Sequence, residues 1–147
     1  MSLWRSYSEE TGCLFTSHMA TLIFDIETVG EDFSVMDETT KKSLTRWIKR
    51  EAYSEVEYEA QLQDLEEGLG FSPLTGQIVA LGVLDVEREK AAVYYQQGGE
   101  ERSVSEEDGC KYEALSEKEL LEKFWEIARR YDTFVTFNGR AFDVPFL

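Results

Sequence analysis

Three carboxylates stand in apolar company where a merely solvated acid has no reason to be. Asp25 and Glu27 lie in the run TLIFDIET (21–28), and Asp143 lies in FNGRAFDVPFL (137–147). Residues two apart in a strand point to one face, so Asp25 and Glu27 project together with Cα atoms ~6.5–7 Å apart. The flanking Leu22, Ile23, Phe24 and Ile26 read as a buried strand. Buried charge needs cations, protons or hydrogen bonds, and hard cations such as Mg²⁺ or Mn²⁺ suit oxygen ligands arranged this way. The spacing alone is not specific. Asp64/Glu66 repeats it on a helical pattern and Asp85/Glu87 repeats it where a strand runs out into a charged turn, and both read as solvated surface. Asp143 has a plain structural reading too, as an acid in the first turn of a helix that tolerates Pro145, with Phe142, Phe146 and Leu147 as core.

The elements that must position these groups follow from the apolar periodicity. TLIFDIET is a strand ended by Gly30. Asp37 can cap a helix that places Leu44, Trp47 and Ile48 on one face, and Ser54-x-x-Glu57 opens another that carries Leu62, Leu65 and Leu69. GQIVALGVLDV (76–86) and KAAVYYQQ (90–97) form a hairpin across a short charged turn. Residues 97–112 are expected to be a mobile acidic loop. Ser116-x-x-Glu119 starts a helix with Leu120, Leu121, Phe124, Trp125, Ala128 and Tyr131 on one face, and TFVTFN (133–138) is a fourth strand. The expected class is α/β, a mixed sheet with helical cover.

Composition limits the partners. The 147 residues carry a net charge of −15, so any grip on nucleic acid must be local, with bound metal the obvious source of positive charge. The bulk of the acidity serves solubility. Cys13, Cys110 and the single His18 offer neither a zinc cluster nor a disulfide framework, and a reducing cytoplasmic setting is expected. No apolar stretch is long enough for a membrane span. Ser17-His18-Met19 looks like a cloning junction, so residues 1–18 are expected to be a non-native or flexible leader and 19–147 a single domain.

Taken together, FDIET, SPLTGQIVALGV and FNGRAFDVPFL resemble the 3′–5′ exonucleases of the DEDD superfamily, which have a ribonuclease-H-like fold. The resemblance is to the group similar to the proofreading domain of family B DNA polymerases. Phe24-Asp25-Ile26-Glu27 fits that family's first motif, and Asn138, Phe142, Asp143, Pro145, Phe146 and Leu147 fit its second. The match covers roughly residues 20 to 147, with an acidic helical insertion at 31–70.

The resemblance implies hydrolysis of the 3′-terminal phosphodiester of single-stranded or frayed DNA, RNA not being excluded, with two Mg²⁺ or Mn²⁺ ions per site. It implies metal-binding and catalytic roles for Asp25, Glu27 and Asp143, and substrate contacts for Asn138, Phe142, Ile26 and Thr28. The global charge implies shallow dependence on monovalent salt. The family's third motif, a Tyr or His with an Asp four residues on, has no counterpart here, so the ribonuclease-H-like sheet is expected to be C-terminally incomplete and activity impaired. Three alternatives remain open: a piece of a longer exonuclease, a partner or second copy covering the open C-terminal face, and a catalytically inactive domain that binds nucleic acid or protein.

Overall fold

A computed structural model describes residues 20–98 and 103–147, so the expected leader at 1–18 lies outside the described residues. The chain begins with β1 (Thr21–Gly30), then makes a helical excursion through α1 (Glu38–Leu44), α2 (Ile48–Glu51) and α3 (Glu55–Gly68). It returns in β2 (Gly76–Asp85) and β3 (Lys90–Tyr95), continues through β4 (Val104–Glu107) and β5 (Cys110–Ala114), and crosses over in α4 (Glu117–Ala128). It closes with β6 (Thr133–Val135) and a short α5 (Asp143–Phe146). The six strands form one mixed sheet in the order β4-β5-β3-β2-β1-β6, with β1–β6 and β3–β5 parallel and the other pairs antiparallel.

The core lies on one face of the sheet. Alternation along β1 turns Leu22, Phe24 and Ile26 inward, where Phe24 and Ile26 meet Ile78, Leu81, Tyr94 and the inner face of α4. That helix buries Leu120, Phe124 and Ala128 at helical spacing, each large side chain being worth roughly 1.5–3 kcal/mol. The capping box is present: Ser116 Oγ accepts the Glu119 amide and Glu119 accepts the Ser116 amide. Trp125, expected on the apolar face, is half-exposed, and its indole N–H donates to the Leu147 carbonyl at 2.8 Å.

The other face of β1 is open, which corrects the reading of a strand buried on both sides: Ile23, Asp25, Glu27 and Val29 are exposed. An antiparallel neighbour and a single covering helix require alternation, not a continuous apolar run. Opposite Glu27 and Thr28 the register slips, with Val79 the extra residue in β2. The backbone groups around this bulge are satisfied by side chains, since the Ile78 amide donates to Glu117 at 2.9 Å and the Ile78 carbonyl accepts from Gln96 at 2.7 Å.

Four further expectations need correction. Residues 104–114 form a hairpin rather than a loop. Asp108 and Gly109 have φ of 51° and 78°, as a two-residue turn with a primed geometry requires. Its outer strand is exposed on both faces, so no apolar alternation marked it. The fourth strand stops at Val135 instead of Asn138, because Asn138 takes a left-handed φ of 54° and Gly139 packs directly on Thr136. The helix after Asp37 is interrupted between Leu44 and Ile48, where the Thr45 hydroxyl donates back to the Lys41 carbonyl. Finally, Asp85 is not surface. It is 7 % exposed, with Tyr131 donating to its Oδ2 at 2.8 Å and Arg88 donating to both of its carboxyl oxygens.

The helical excursion is rooted at a narrow neck. Gly30 pairs with Gly76, and Gly70 packs against both. A Cβ on Gly30 would lie 2.7 Å from the Leu69 Cβ and 2.9 Å from the Gly70 nitrogen, so the close approach needs a residue without a side chain.

Candidate active site

The parallel partner of β1 is short. It pairs only with Thr21–Ile23, so past Val135 that edge of β1 has no strand beside it among the described residues. Alternation of the ladder turns the Ile26 N–H toward this vacated edge, and a peptide N–H without a partner there would be costly. Asp143 takes the position. Its Oδ1 accepts the Ile26 N–H at 3.2 Å, and the residue is 0 % exposed.

The turn leading to Asp143 is built for this delivery. Asn138 and Gly139 reverse the chain, the Ala141 amide donates to the Asn138 carbonyl, and the Val144 amide donates to the Gly139 carbonyl at 2.8 Å. Phe142 seats the start of α5 with its ring 6.1 Å from Phe71 and 5.4 Å from Phe146. Asp143 thus opens α5 as expected for an acid in a first turn, yet its side chain is spent on β1 rather than on its own helix.

The second oxygen, Asp143 Oδ2, is buried with no hydrogen-bond donor. The Asp143 carboxyl lies close enough to that of Asp25 to influence it. Partial burial pushes Asp25 above the usual aspartate value, and the charge of Asp143 and a hydrogen bond with it push the same way, while the Ile26 amide opposes them. Two ionised carboxylates have no proton between them to donate. A shared proton or a cation would complete the pair. That orphaned oxygen is the structural ground on which a divalent ion fits here.

The expected site residues do not all converge. Asp25 and Asp143 come together. Glu27 shares the open face with Asp25, one residue before the register slip, but among the described residues no three His, Cys, Asp or Glu side chains form a metal-binding group. The Ile26 side chain is core, so what it brings to the site is its amide. The Thr28 hydroxyl donates to the Gly70 carbonyl at 2.7 Å and ties the excursion to β1. Asn138 is exposed on the turn and Phe142 is half-buried under it.

Asp25 borders a shallow groove of about 200 Å³ on the open sheet face, floored by Ile23, Gly82, Leu84, Ala91 and Val93. A larger cleft of about 590 Å³ runs along the outer edge of β6 beside Asn138, Arg140 and Val144, and does not include either carboxylate. The Ile26 amide was the partner that residue types could not reveal. The shortness of β6 that frees it depends on the turn at Asn138-Gly139, which is visible in the sequence.

Residues 64–147 match the family description RNase H superfamily. The chain is also similar to DNA polymerase 1 of Sulfolobus acidocaldarius, at 25 % identity over 134 residues. That alignment takes in 84 % of this chain but only 15 % of the polymerase, so the chain spans a small part of the length of its curated relative. Among the described residues no helix is long and apolar enough to cross a membrane.

Proposed function

Since the chain belongs to the RNase H superfamily, we propose that it is a metal-dependent nuclease domain that removes nucleotides from the 3′ end of single-stranded or frayed DNA. The observation that carries this reading is the orphaned Asp143 Oδ2 on a carboxyl that influences a second one, that of Asp25. Two carboxylates forced together without a proton donor make a poor structural element and a good cation site. The similarity to a DNA polymerase supports DNA as the substrate class.

Asp25 and Asp143 would hold the ion, and Glu27 on the same face is the third ligand the reading calls for. A divalent ion in this place supplies the positive charge that a phosphodiester under attack needs, and lowers the pKa of water near it. The chain's own residues do the positioning. The Ile26 amide fixes the Asp143 carboxylate in one orientation, the bulge at Val79 sets the strand geometry beside Glu27, and the rigid β1 backbone keeps Asp25 in place. Asn138 and Phe142, on the turn and under it, are the residues this reading assigns to the terminal nucleotide. The open face over Asp25 leaves a strand room to approach.

One observation favours a second reading, a binding domain of the same fold that does not cut. Among the described residues Glu27 is not drawn into a group with the other two acids.

Thermal melting with Mn²⁺, alongside release of 3′ nucleotides from a 5′-labelled oligonucleotide, tests both. A Mn²⁺-induced rise in Tm that disappears in Asp25→Asn, with Mn²⁺-dependent shortening from the 3′ end, supports the nuclease. A metal-dependent Tm shift without shortening leaves the binding domain. No metal-dependent change in either readout overturns the cation site.

A further inference from the structure

The helical excursion is not uniformly acidic, although its composition suggested so. Residues 41–50, KKSLTRWIKR, contain five of the chain's fifteen Lys and Arg and no Asp or Glu. The structure sorts this run by face. Thr45 and Ile48 are buried, Ile48 at 0 % exposure, and they form the inward side of the segment. Lys42, Ser43, Arg46, Lys49 and Arg50 face solvent.

Lys42, Ser43, Arg46 and Lys49 alone line an open groove of about 460 Å³. The path is nearly continuous helix, as the Thr45 amide donates to the Lys41 carbonyl and the Lys49 amide to the Thr45 carbonyl. Positions 42, 46 and 49 therefore follow one another up one side, with steps of about 6 Å and 4.5 Å along the axis. Lys41 is engaged with the Ser34 carbonyl and Glu38, but among the described residues Lys42, Arg46, Lys49 and Arg50 have no carboxylate partner. In a chain of net charge −15, four cations on one segment without a carboxylate partner among the described residues are a concentration of positive charge.

We propose that this stripe binds the phosphate backbone of the single strand whose 3′ end is processed at Asp25 and Asp143, an inference that rests on the nuclease reading. Three features support it. The groove is cationic and lined without any apolar side chain, which suits a phosphate chain and not a hydrophobic peptide. Exposed aromatic side chains lie close by in sequence, Trp47 at 39 % and Tyr53 at 96 % exposure, and unpaired bases stack on such rings. Lastly, the excursion leaves β1 at Gly30, just beyond Glu27, and returns through a turn whose Phe71 touches Phe142, so its root adjoins the carboxylate site. The net acidity of the chain then disfavours the strand over most other surface.

Fluorescence anisotropy with a labelled oligothymidylate, in EDTA and across a monovalent salt series, tests the proposal. Wild-type chain is expected to bind without metal and with a clear salt slope, in place of the shallow dependence that the net charge implies. Lys42→Gln/Arg46→Gln/Lys49→Gln, which adds no new charge, should lower the slope of log Kd on log salt by about 2, near 0.7 for each phosphate left without its cation. Asp25→Asn should keep the full slope even where 3′ nucleotide release is abolished, so failure of the stripe and failure of the nuclease are read separately. An unchanged slope in the triple variant overturns the proposal, as does absence of oligothymidylate binding by wild type. Competition by polyglutamate as effective as that by unlabelled oligothymidylate also overturns it, and assigns the stripe to an acidic protein.

Discussion

Asp143 Oδ1 accepts the amide N–H of Ile26 at 3.2 Å, a bond between residues 117 positions apart. It completes the edge of β1 where β6 has already stopped, and it leaves the second carboxyl oxygen buried without a partner among the described residues. One side chain thus serves the fold with one oxygen and the candidate chemistry with the other.

Substitution at Asp143 should separate these two duties. Asp143→Ala strands the Ile26 amide in a buried place and is expected to cost about 1–3 kcal/mol. Asp143→Asn keeps a carbonyl acceptor for Ile26 and offers an amide donor toward Asp25, so without metal it should melt at or above wild type. Urea denaturation of both variants in EDTA checks the order. If alanine proves the more stable, the structural duty is wrong.

The pH dependence of Asp25 has a definite sign. A carboxyl whose pKa is raised on folding favours the protonated form, so its contribution is most favourable below the unfolded value and is lost as pH rises through the folded one. At neutral pH the metal-free protein therefore carries an unrelieved repulsion. Asp25→Asn should raise Tm near pH 7 without metal, with the gain shrinking as pH falls through the raised folded value and largely gone by about pH 4. Thermal melts in EDTA across that range measure it.

At the neck of the excursion, Gly30→Ala forces a methyl group against Leu69 and the Gly70 backbone, and about 1–3 kcal/mol of stability should be lost. Gly68→Ala is the control, since a Cβ there meets nothing within 4 Å and the backbone is helical. That change should be neutral or gain up to about 1 kcal/mol. Chemical denaturation distinguishes the two, and faster proteolysis between residues 31 and 75 in Gly30→Ala would locate the damage.

The buried Asp85 ties the β2–β3 turn to the start of β6. Burial pushes its carboxyl up, but hydrogen bonds from Arg88 and Tyr131 outweigh this and hold it below the usual value. Its stabilisation is present above the unfolded pKa and is lost as pH falls through the folded one. Tyr131→Phe should cost about 1.5 kcal/mol at pH 7, and the deficit should narrow as the carboxyl is protonated. Equilibrium unfolding at pH 7 and in acid provides the comparison.

Much of this molecule is legible along the chain because local rules govern it. The apolar periods of β1, β2 and α4, the Ser116–Glu119 capping box and the α/β class all follow from residue types at fixed spacing. The two motifs that carry the family resemblance, around Asp25 and Asp143, are equally local. The hairpin at 104–114 escaped because both faces of its outer strand meet water, and only the Asp108-Gly109 turn marked it.

What tertiary structure alone decided is which of these pieces meet. Sequence spacing grouped Asp25 with Glu27, whereas the fold sets Asp25 against Asp143, because the end of β6 at Val135 exposes a ladder position that only a side chain from α5 can fill. It also buried Asp85, which spacing had left at the surface, because Tyr131 and Arg88 converge on it from two elements. And it turned Lys42, Arg46, Lys49 and Arg50 outward together, since Thr45 and Ile48 take the buried side of the segment. Long-range hydrogen bonds and burial set these relationships, and neither is a property of neighbouring residues.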